Sequence, residues 1–334
     1  MKINMIRVSD VGERGLIERM MRRLTQMPHM PLPFWDDASA LDMGDGRALV
    51  INTDMLVWET DIPAGMTPYQ AARKSVVMNV SDLGAKGVKP LAFMPNIGLP
   101  RDYPLNDAEE IAKGFEEGVR EYDSYVVGGD TNEACDVIIS GVALGLARKD
   151  RLMKRDNGAR PGDFIATTGN FGLTSAGFKH LLEGYNLPEE LSKPVLNSIY
   201  LPEAYVEEGI ALSETGLITG CIDSSDGLAV SLHDLRRSTG YGYRLNSLPL
   251  DPIAEKFARV NDLNSVSLAL YGGEEYNLVF SFQRKHVEQV QNALSSVGSE
   301  LKIIGEVTES REILYVTEDK EVQILPRGWE HFKE

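Results

Sequence analysis

The chain has 334 residues, 43% of them hydrophobic, with a formal net charge of -16 and two cysteines. This length predicts two domains rather than a single core. The acidic charge argues against nucleic acid as a partner, because such binding depends on basic residues, and no apolar run approaches the roughly 18 to 20 residues that span a bilayer.

The N-terminus and the cysteines indicate a cytoplasmic protein. The first ten residues, M-K-I-N-M-I-R-V-S-D, contain neither an apolar signal region nor a cleavage site, so we expect no export. Cys135 and Cys221 lie in apolar, strand-like runs without a Cys-x-x-Cys motif. This pattern predicts two buried free thiols in a reducing compartment.

The first half of the chain alternates predicted helices and strands, which indicates an α/β layer domain. A helix over 13–26 is followed by a Pro-rich connector that leads to Asp36-Asp37, and a short strand over 48–52 ends in Thr53-Asp54. After a helix over 67–87, we expect a strand over 90–98, a helix over 107–121 and strands over 124–127 and 137–147.

The helix over 67–87 carries the residues around which the chain is organised. Thr67 can cap its N-terminus, and Pro68 fits its first position. The buried face leaves Asn79 and Asp82 as neighbours on one flank. Asp82 is explained either by a surface ion pair with Lys86, one turn later, or by a site that it shares with other aspartates.

The second half begins at a predicted boundary between domains 1–148 and 149–334, marked by a basic run and an Asn-Gly turn. A strand over 164–168 enters a Gly-rich turn that is not a Walker loop, because Phe178 stands where the lysine is needed. We interpret this turn as a strand-to-helix connection able to face phosphate. Helices over 202–215, from 228 and over 285–297, and strands over 216–222, 241–245, 277–282 and 301–307, complete the prediction.

Acidic residues recur beside the predicted strand ends and turns, where α/β proteins build their sites. They are Asp37, Asp54, Asp82, Asp130, Asp223 and Asp226, with neutral oxygens nearby from Thr53, Asn79 and Ser225. Mg²⁺ prefers such oxygens, and a bound cation would relieve the repulsion among six carboxylates. Asp37, Asp223 and Asp226 also have a local explanation as turn or helix-capping residues, and Asp130 as part of an ordinary loop. No G-x-S-x-G, Cys-His or H-E-x-x-H pattern supports covalent hydrolysis.

Nine motifs occur in order between about residues 34 and 332. They are W-D-D-A-S-A, I-N-T-D-M-L-V, N-V-S-D-L-G-A-K-G, G-G-D-T-N, R-D-N-G-A-R-P-G-D, I-D-S-S-D-G-L, G-G-E-E-Y-N-L, I-G-E-V-T and G-W-E-H-F. Together they resemble the thiamine-monophosphate kinase family, within the ATP-binding superfamily that includes aminoimidazole ribonucleotide synthetase, selenophosphate synthetase and a hydrogenase maturation factor.

The resemblance implies a two-domain α/β (α+β) fold like that of aminoimidazole ribonucleotide synthetase. An N-terminal ATP/Mg-binding domain would complete a β-barrel across a homodimer, beside a C-terminal α/β domain. The implied activity is ATP-dependent phosphorylation of thiamine monophosphate to thiamine diphosphate, assisted by several Mg²⁺ ions, with no covalent or general-base residue. The alternatives are another ATP-dependent synthetase or maturation factor of this superfamily, or a non-catalytic divalent-cation-binding protein.

The resemblance also implies roles for single residues. The matched metal ligands are Asp37, Asn52, Thr53, Asp54, Asp82, Asp130, Asp223 and Asp226. Nucleotide contacts are implied for Gly129, Asp130, Arg155 and Ser225. Glu274 and Trp329 match substrate contacts, and Asp61 stands where relatives usually have a substrate-side histidine.

Overall fold

Two β-sheets, joined through one long helix, make up the part of the chain that the computed structural model describes, residues 6–332. The first sheet contains β1 (Ser39–Asp42), β2 (Arg47–Val57), β3 (Pro90–Leu99), β4 (Asp130–Glu133) and β5 (Ile138–Arg148). Its order is β1-β2-β5-β3-β4, and only the β3–β4 pair is parallel. Its helices are α1 (Gly12–Met21), α2 (Trp58–Asp61), α3 (Pro68–Ala85) and α4 (Leu105–Glu121).

The second sheet has seven strands and lies later in the chain. They are β6 (Phe164–Thr167), β7 (Ile218–Asp223), β8 (Gly242–Leu245), β9 (Leu278–Phe282), β10 (Lys302–Thr308), β11 (Ile313–Val316) and β12 (Glu321–Gln323), in the order β12-β11-β8-β10-β6-β9-β7. The helices around it are α5 (Leu173–Glu183), α6 (Glu189–Tyr200), α7 (Val206–Thr215), α8 (Leu228–Thr239), α9 (Pro252–Val260), α10 (Ser265–Tyr271) and α11 (Val287–Ser296). None of the helices within residues 6–332 is long and apolar enough to cross a membrane.

Helix α3 forms where the sequence predicts it. The Thr67 hydroxyl accepts a hydrogen bond from the Gln70 N–H at 3.2 Å, and the Gln70 side chain accepts one from the Thr67 N–H at 2.9 Å. This reciprocal cap, with Pro68 in the first position, fixes the start of the helix. The helix packs on β2 and β5 with one side and on α7 and β7 with the other, so its polar side chains are buried between the two domains.

The two-domain α/β architecture is confirmed, and the bounds of several elements need correction. Strand β2 runs to residue 57 instead of ending at 52, because it pairs along its whole length with β5. Thr53 and Asp54 therefore lie inside a strand. The segment 124–127 forms only an isolated bridge to Phe93, and the edge strand is β4. Cys135 is exposed, not buried, because it lies in the loop between β4 and β5, whereas Cys221 is buried as expected.

Helices α6, α9 and α10 are absent from the sequence-based prediction. Helix α9 had a readable signal, since the Asp251 carboxylate accepts from the Ile253 N–H at 2.7 Å and a proline follows the cap. The first sheet ends at residue 148 and the second begins at 164. The boundary at 148/149 stays a prediction, and so does a barrel completed across a dimer, since the described strands form an open sheet.

Candidate active site

Three carboxylates from distant segments meet between the two domains. One oxygen each of Asp37, Asp82 and Asp223 lies within 4.8 Å of the others. Asp37 comes from the loop before β1, Asp82 from α3, and Asp223 is the last residue of β7. We call these three residues the acidic triad. The predicted convergence of aspartates from both halves of the chain is therefore present for these three.

Asp37 is paired with two buried cations. The Arg155 guanidinium donates from Nε at 2.9 Å and from Nη2 at 2.5 Å to Asp37 Oδ1, and Lys86 Nζ lies 2.7 Å from Oδ2. Burial alone would raise the pKa of Asp37, but Arg155 and Lys86 together hold it below the usual value. Asp37 is thus a carboxylate at neutral pH.

Asp82 and Asp223 lack such a partner among residues 6–332. Burial, followed by the charges of Asp223, Asp54 and Asp37, raises the pKa of Asp82 well above its usual value. Burial and then the charge of Asp37 raise the pKa of Asp223 to about 6. The Ser81 hydroxyl donates to Asp223 Oδ2 at 2.8 Å. Neither residue forms an ion pair within residues 6–332, although the charge of Arg155 partly offsets that of Asp223.

The donor set of the triad fits a hard divalent cation. Its oxygens belong to carboxylates and lie within 4.8 Å of one another. The raised pKa values of Asp82 and Asp223 reflect burial first and then repulsion by neighbouring carboxylates, and a cation would relieve both. Two further predicted ligands adjoin it. The Asn52 amide donates to Asp82 Oδ2 at 2.5 Å and to Asp54 Oδ2 at 3.0 Å, and burial raises the pKa of Asp54.

The other predicted metal ligands lie further from the triad or face away. Burial and then the charge of Glu13 raise the pKa of Asp226 to about 7, and the charge of Asp223 also contributes. Thr53 is exposed and its hydroxyl donates to the Gly141 carbonyl at 2.8 Å. Asp130 is exposed on edge strand β4, opposite Asn96, and no contact within the described ranges joins it to the triad. The structure therefore does not bring Thr53 and Asp130 into the triad.

The predicted nucleotide-side residues have definite surroundings. A Cβ on Gly129 would lie 2.5 Å from the Pro95 carbonyl oxygen, so only glycine fits there. Ser225 is exposed, and its carbonyl accepts from the Glu274 N–H at 2.6 Å. Arg155, with its guanidinium on Asp37, stands at the border of the triad.

The predicted substrate-side residues are not grouped by direct contacts. Lys74 is wholly buried and its ammonium lies 2.6 Å from Glu274 Oε1, whereas no described residue donates to the buried Oε2. Glu274 has a φ of 63°, a conformation that is strained for a residue with a side chain. The Asp61 carboxylate accepts from the Val57 N–H at 2.7 Å, at the start of α2. Trp329 is 54% exposed.

The Gly-rich turn before α5 holds an internal carboxylate at its helix start. Glu275 Oε1 accepts from the N–H of Gly172 at 2.6 Å and from that of Thr174 at 3.3 Å. Burial raises the pKa of Glu275 to about 7. The strand-to-helix connection is confirmed by β6 and α5. A side chain of the protein occupies the position predicted for phosphate, so the phosphate-facing role of the turn is wrong.

Two residues at the site were missed by sequence reasoning. Lys86 does not pair with Asp82 one turn away, because its side chain turns beneath the loop that carries Asp36 and Asp37. Tyr276 is buried, and burial followed by the charges of Glu274 and Asp54 raises its pKa well above the usual value. A helical lysine within an apolar run was a signal for Lys86; we find none for Tyr276.

Comparisons with known proteins identify the family and the fold of the chain. The family model "AIR synthase related protein, N-terminal domain" matches residues 35–147, and its C-terminal counterpart matches residues 160–317. A thiamine-monophosphate kinase from Pyrococcus horikoshii is 36% identical over 89% of this chain and 90% of its own length. The structure of tt0281 from Thermus thermophilus has a TM-score of 0.84 at 30% identity, covering 95% of this chain and 99% of that one. AaThiL complexed with AMPPCP and TMP has a TM-score of 0.85 at 24% identity, covering 98% and 99%, which is a likeness of fold.

Proposed function

The chain belongs to the AIR synthase related family, within its thiamine-monophosphate kinases, and from this premise we infer that it phosphorylates thiamine monophosphate with ATP. The products are thiamine diphosphate and ADP. The observation that carries the inference is similarity to a kinase of that name over nine tenths of both chains. The acidic triad gives the reaction a location between the two domains.

The chemistry is a direct transfer between two phosphates. An oxygen of the acceptor phosphate attacks the terminal phosphorus of ATP, and the bond from that phosphorus to the bridging oxygen breaks, so that ADP leaves. The acceptor is already anionic at neutral pH, since the second pKa of a phosphate ester is about 6, and it needs no general base. Catalysis then consists of positioning and of stabilising negative charge.

We propose that the triad, with Asp54 and Asn52, holds Mg²⁺. Support comes from the close spacing of the three carboxylates and from the raised pKa values of Asp82 and Asp223, which form no ion pair within residues 6–332. Bound Mg²⁺ supplies neutralisation of the charge on the transferring phosphate oxygens. Thr53, Asp130 and Asp226 remain proposed ligands, and the first two would need a change in their surroundings to reach an ion held by the triad.

We also propose binding roles for residues around the triad. Arg155 would offer its remaining N–H groups to the ATP phosphates, and the backbone at Gly129 and Ser225 would border the nucleotide. Glu274 has one oxygen to which no described residue donates, which suits it to a substrate amine or cation. Trp329 is an exposed aromatic that would stack on the pyrimidine. Asp61 would have to give up its bond to the Val57 N–H before it contacted substrate.

A homodimer is proposed through the outer face of the first sheet. Met55, Met94 and Leu146 occupy this face, opposite α3, and are 56%, 41% and 37% exposed. Apolar residues along an uncovered sheet face favour a partner layer. A second copy of the chain would supply it, and measurement of the mass in solution by light scattering tests this: a monomer at micromolar concentration would contradict the proposal.

A product assay tests the function. The purified chain is incubated with labelled ATP and thiamine monophosphate, with Mg²⁺ or with EDTA, and the products are separated. Thiamine diphosphate and ADP, formed only with Mg²⁺, support the kinase. ATP consumption that requires a different acceptor would indicate a synthetase or maturation factor, and failure to bind nucleotide would indicate a non-catalytic cation-binding protein. Either result would overturn the proposal.

A further inference from the structure

Lys86 is a completely buried lysine whose ammonium contacts three oxygens. Nζ lies 2.5 Å from Asp36 Oδ1, 2.7 Å from Asp37 Oδ2 and 3.0 Å from the Cys221 carbonyl oxygen. The side chains of Lys86 and Asp36 have no exposed area, and that of Asp37 is 1% exposed. The contacts with Asp36 and Cys221 are hydrogen bonds, whereas the contact with Asp37 is an ion pair, since no described residue donates a hydrogen bond to Asp37 Oδ2.

The charges around Lys86 balance locally. Asp36 and Asp37 contribute two negative charges, and Lys86 and Arg155 contribute two positive ones. Arg155 Nη1 also lies 3.8 Å from Asp234 Oδ2, but Asp234 has its own partner in Arg14 at 3.1 Å. Arg155 contacts both carboxylates, since its guanidinium binds Asp37 Oδ1 and its backbone N–H donates to Asp36 Oδ2 at 3.2 Å. The rest of the triad has no ion pair within residues 6–332. Asp36 and Asp37 are therefore paired with cations of the protein, whereas Asp82 and Asp223 are not.

We propose that Lys86 is a positioning residue for the cation site, an internal cation that holds Asp36 and Asp37 in place when no divalent ion is bound. Its ammonium contacts Asp37 Oδ2 and so keeps this carboxylate beside Asp82 and Asp223. Asp82 and Asp223 are then the carboxylates whose charge a divalent ion has to balance. This inference rests on the proposed function in one respect only, that the triad binds Mg²⁺.

Lys86→Met tests the role, because methionine keeps much of the length of the side chain and removes the charge. The thermal midpoint of the full chain is measured in EDTA and along a MgCl₂ titration without nucleotide. In EDTA we expect the midpoint to fall by about 5 °C or more, since two buried carboxylates lose a partner. Added Mg²⁺ should recover most of that loss, because a divalent ion can supply the positive charge that Asp36 and Asp37 lose with the ammonium.

Lys89→Met is the matched control. Lys89 lies three residues further on and pairs with Asp123, but both side chains are largely exposed, at 53% and 83%. This variant should follow the wild type in EDTA and in Mg²⁺. Equal loss of the midpoint in EDTA and in saturating Mg²⁺ for Lys86→Met would show that Lys86 only fills space, and an unchanged midpoint would also overturn the proposal.

A double variant keeps the test decisive if Lys86→Met does not fold. Asp36→Asn combined with Lys86→Met removes one charge of each sign, so the proposal predicts a folded protein whose midpoint in EDTA is closer to the wild type. A double variant no better folded than Lys86→Met would contradict the charge-balance argument. The kinase assay separates the two proposals: a wild type that responds to Mg²⁺ but does not phosphorylate thiamine monophosphate refutes the function and leaves the role of Lys86 standing.

Discussion

Asp82→Asn tests whether the acidic triad lowers the stability of the metal-free protein while being required for turnover. The substitution removes one of three carboxylates whose oxygens lie within 4.8 Å, and asparagine keeps the shape and can still accept the hydrogen bond from Asn52. We expect the metal-free protein to become more stable and the turnover of thiamine monophosphate to be lost. A residue that only stabilised the fold would give the opposite change in stability.

The magnitude follows from the geometry. Two unit charges within 4.8 Å of each other repel by at least about 3 kcal/mol at an effective dielectric constant of 20. The gain depends on pH, because the folded-state pKa of Asp82 lies well above 3.8. In the wild type the Asp82 carboxylate takes up a proton on folding, so the protein loses stability as the pH rises from about 4 through the folded pKa. The variant has no such loss, so its advantage should be small at pH 5 and should reach about 1 to 3 kcal/mol at pH 8.

Chemical denaturation in EDTA at pH 5, 6.5 and 8 measures the stability, and the product assay at saturating Mg²⁺ measures the turnover. Asp123→Asn is the control, since Asp123 is 83% exposed and pairs with Lys89 at the surface; it should change neither quantity. Lower stability of Asp82→Asn at pH 8, or turnover near that of the wild type, would refute the reasoning.

Three further predictions concern neighbouring residues. Asp223 has a folded pKa of about 6 against 3.8 unfolded. The free energy of unfolding of the metal-free wild type should therefore fall by about 3 kcal/mol between pH 4 and pH 7 because of this residue. Chemical denaturation at several pH values measures this fall, and Mg²⁺ should make it smaller. Glu274→Gln leaves the buried ammonium of Lys74 without a counter-charge; unfolding in denaturant should show a loss of about 3 kcal/mol, and KM for thiamine monophosphate should rise. Trp329→Ala should raise that KM several-fold and leave the thermal midpoint unchanged, because the indole is 54% exposed; an unchanged KM would exclude it from the substrate site.

Local signals predicted the fold well where local chemistry decides the structure. Helix α3 could be read from the cap at Thr67 and the proline after it, and both its ends agree with the structure within two residues. Strand β2 could not be bounded in the same way. Thr53 and Asp54 look like the end of a strand, yet pairing with β5 extends the strand to residue 57. Such pairing is decided by a segment about 85 residues away, which a local pattern does not reveal.

The candidate site shows the same contrast between local signals and long-range pairing. Asp37, Asp82 and Asp223 were found because acidic residues beside turns and on a helix flank are visible in the sequence. Lys86 was missed as a partner of Asp37, because helical spacing assigned it to Asp82 four residues earlier. The structure instead places it under a loop some 50 residues before it. Counter-charges are selected by three-dimensional proximity, so sequence spacing identifies the members of a charged site more readily than their pairs.

This pairing bears on how a chain of net charge -16 can bind a polyphosphate. Arg155 and Lys86 neutralise Asp36 and Asp37, and the remaining carboxylates of the triad, Asp82 and Asp223, have no ion pair within residues 6–332. An anionic nucleotide that approached Asp82 and Asp223 alone would be repelled. With a divalent ion between them, the same carboxylates become the means of holding the nucleotide. If the triad binds Mg²⁺ as proposed, cation binding and nucleotide binding are coupled through Asp82 and Asp223, and we expect Asp36 and Asp37 to keep their geometry with or without the ion.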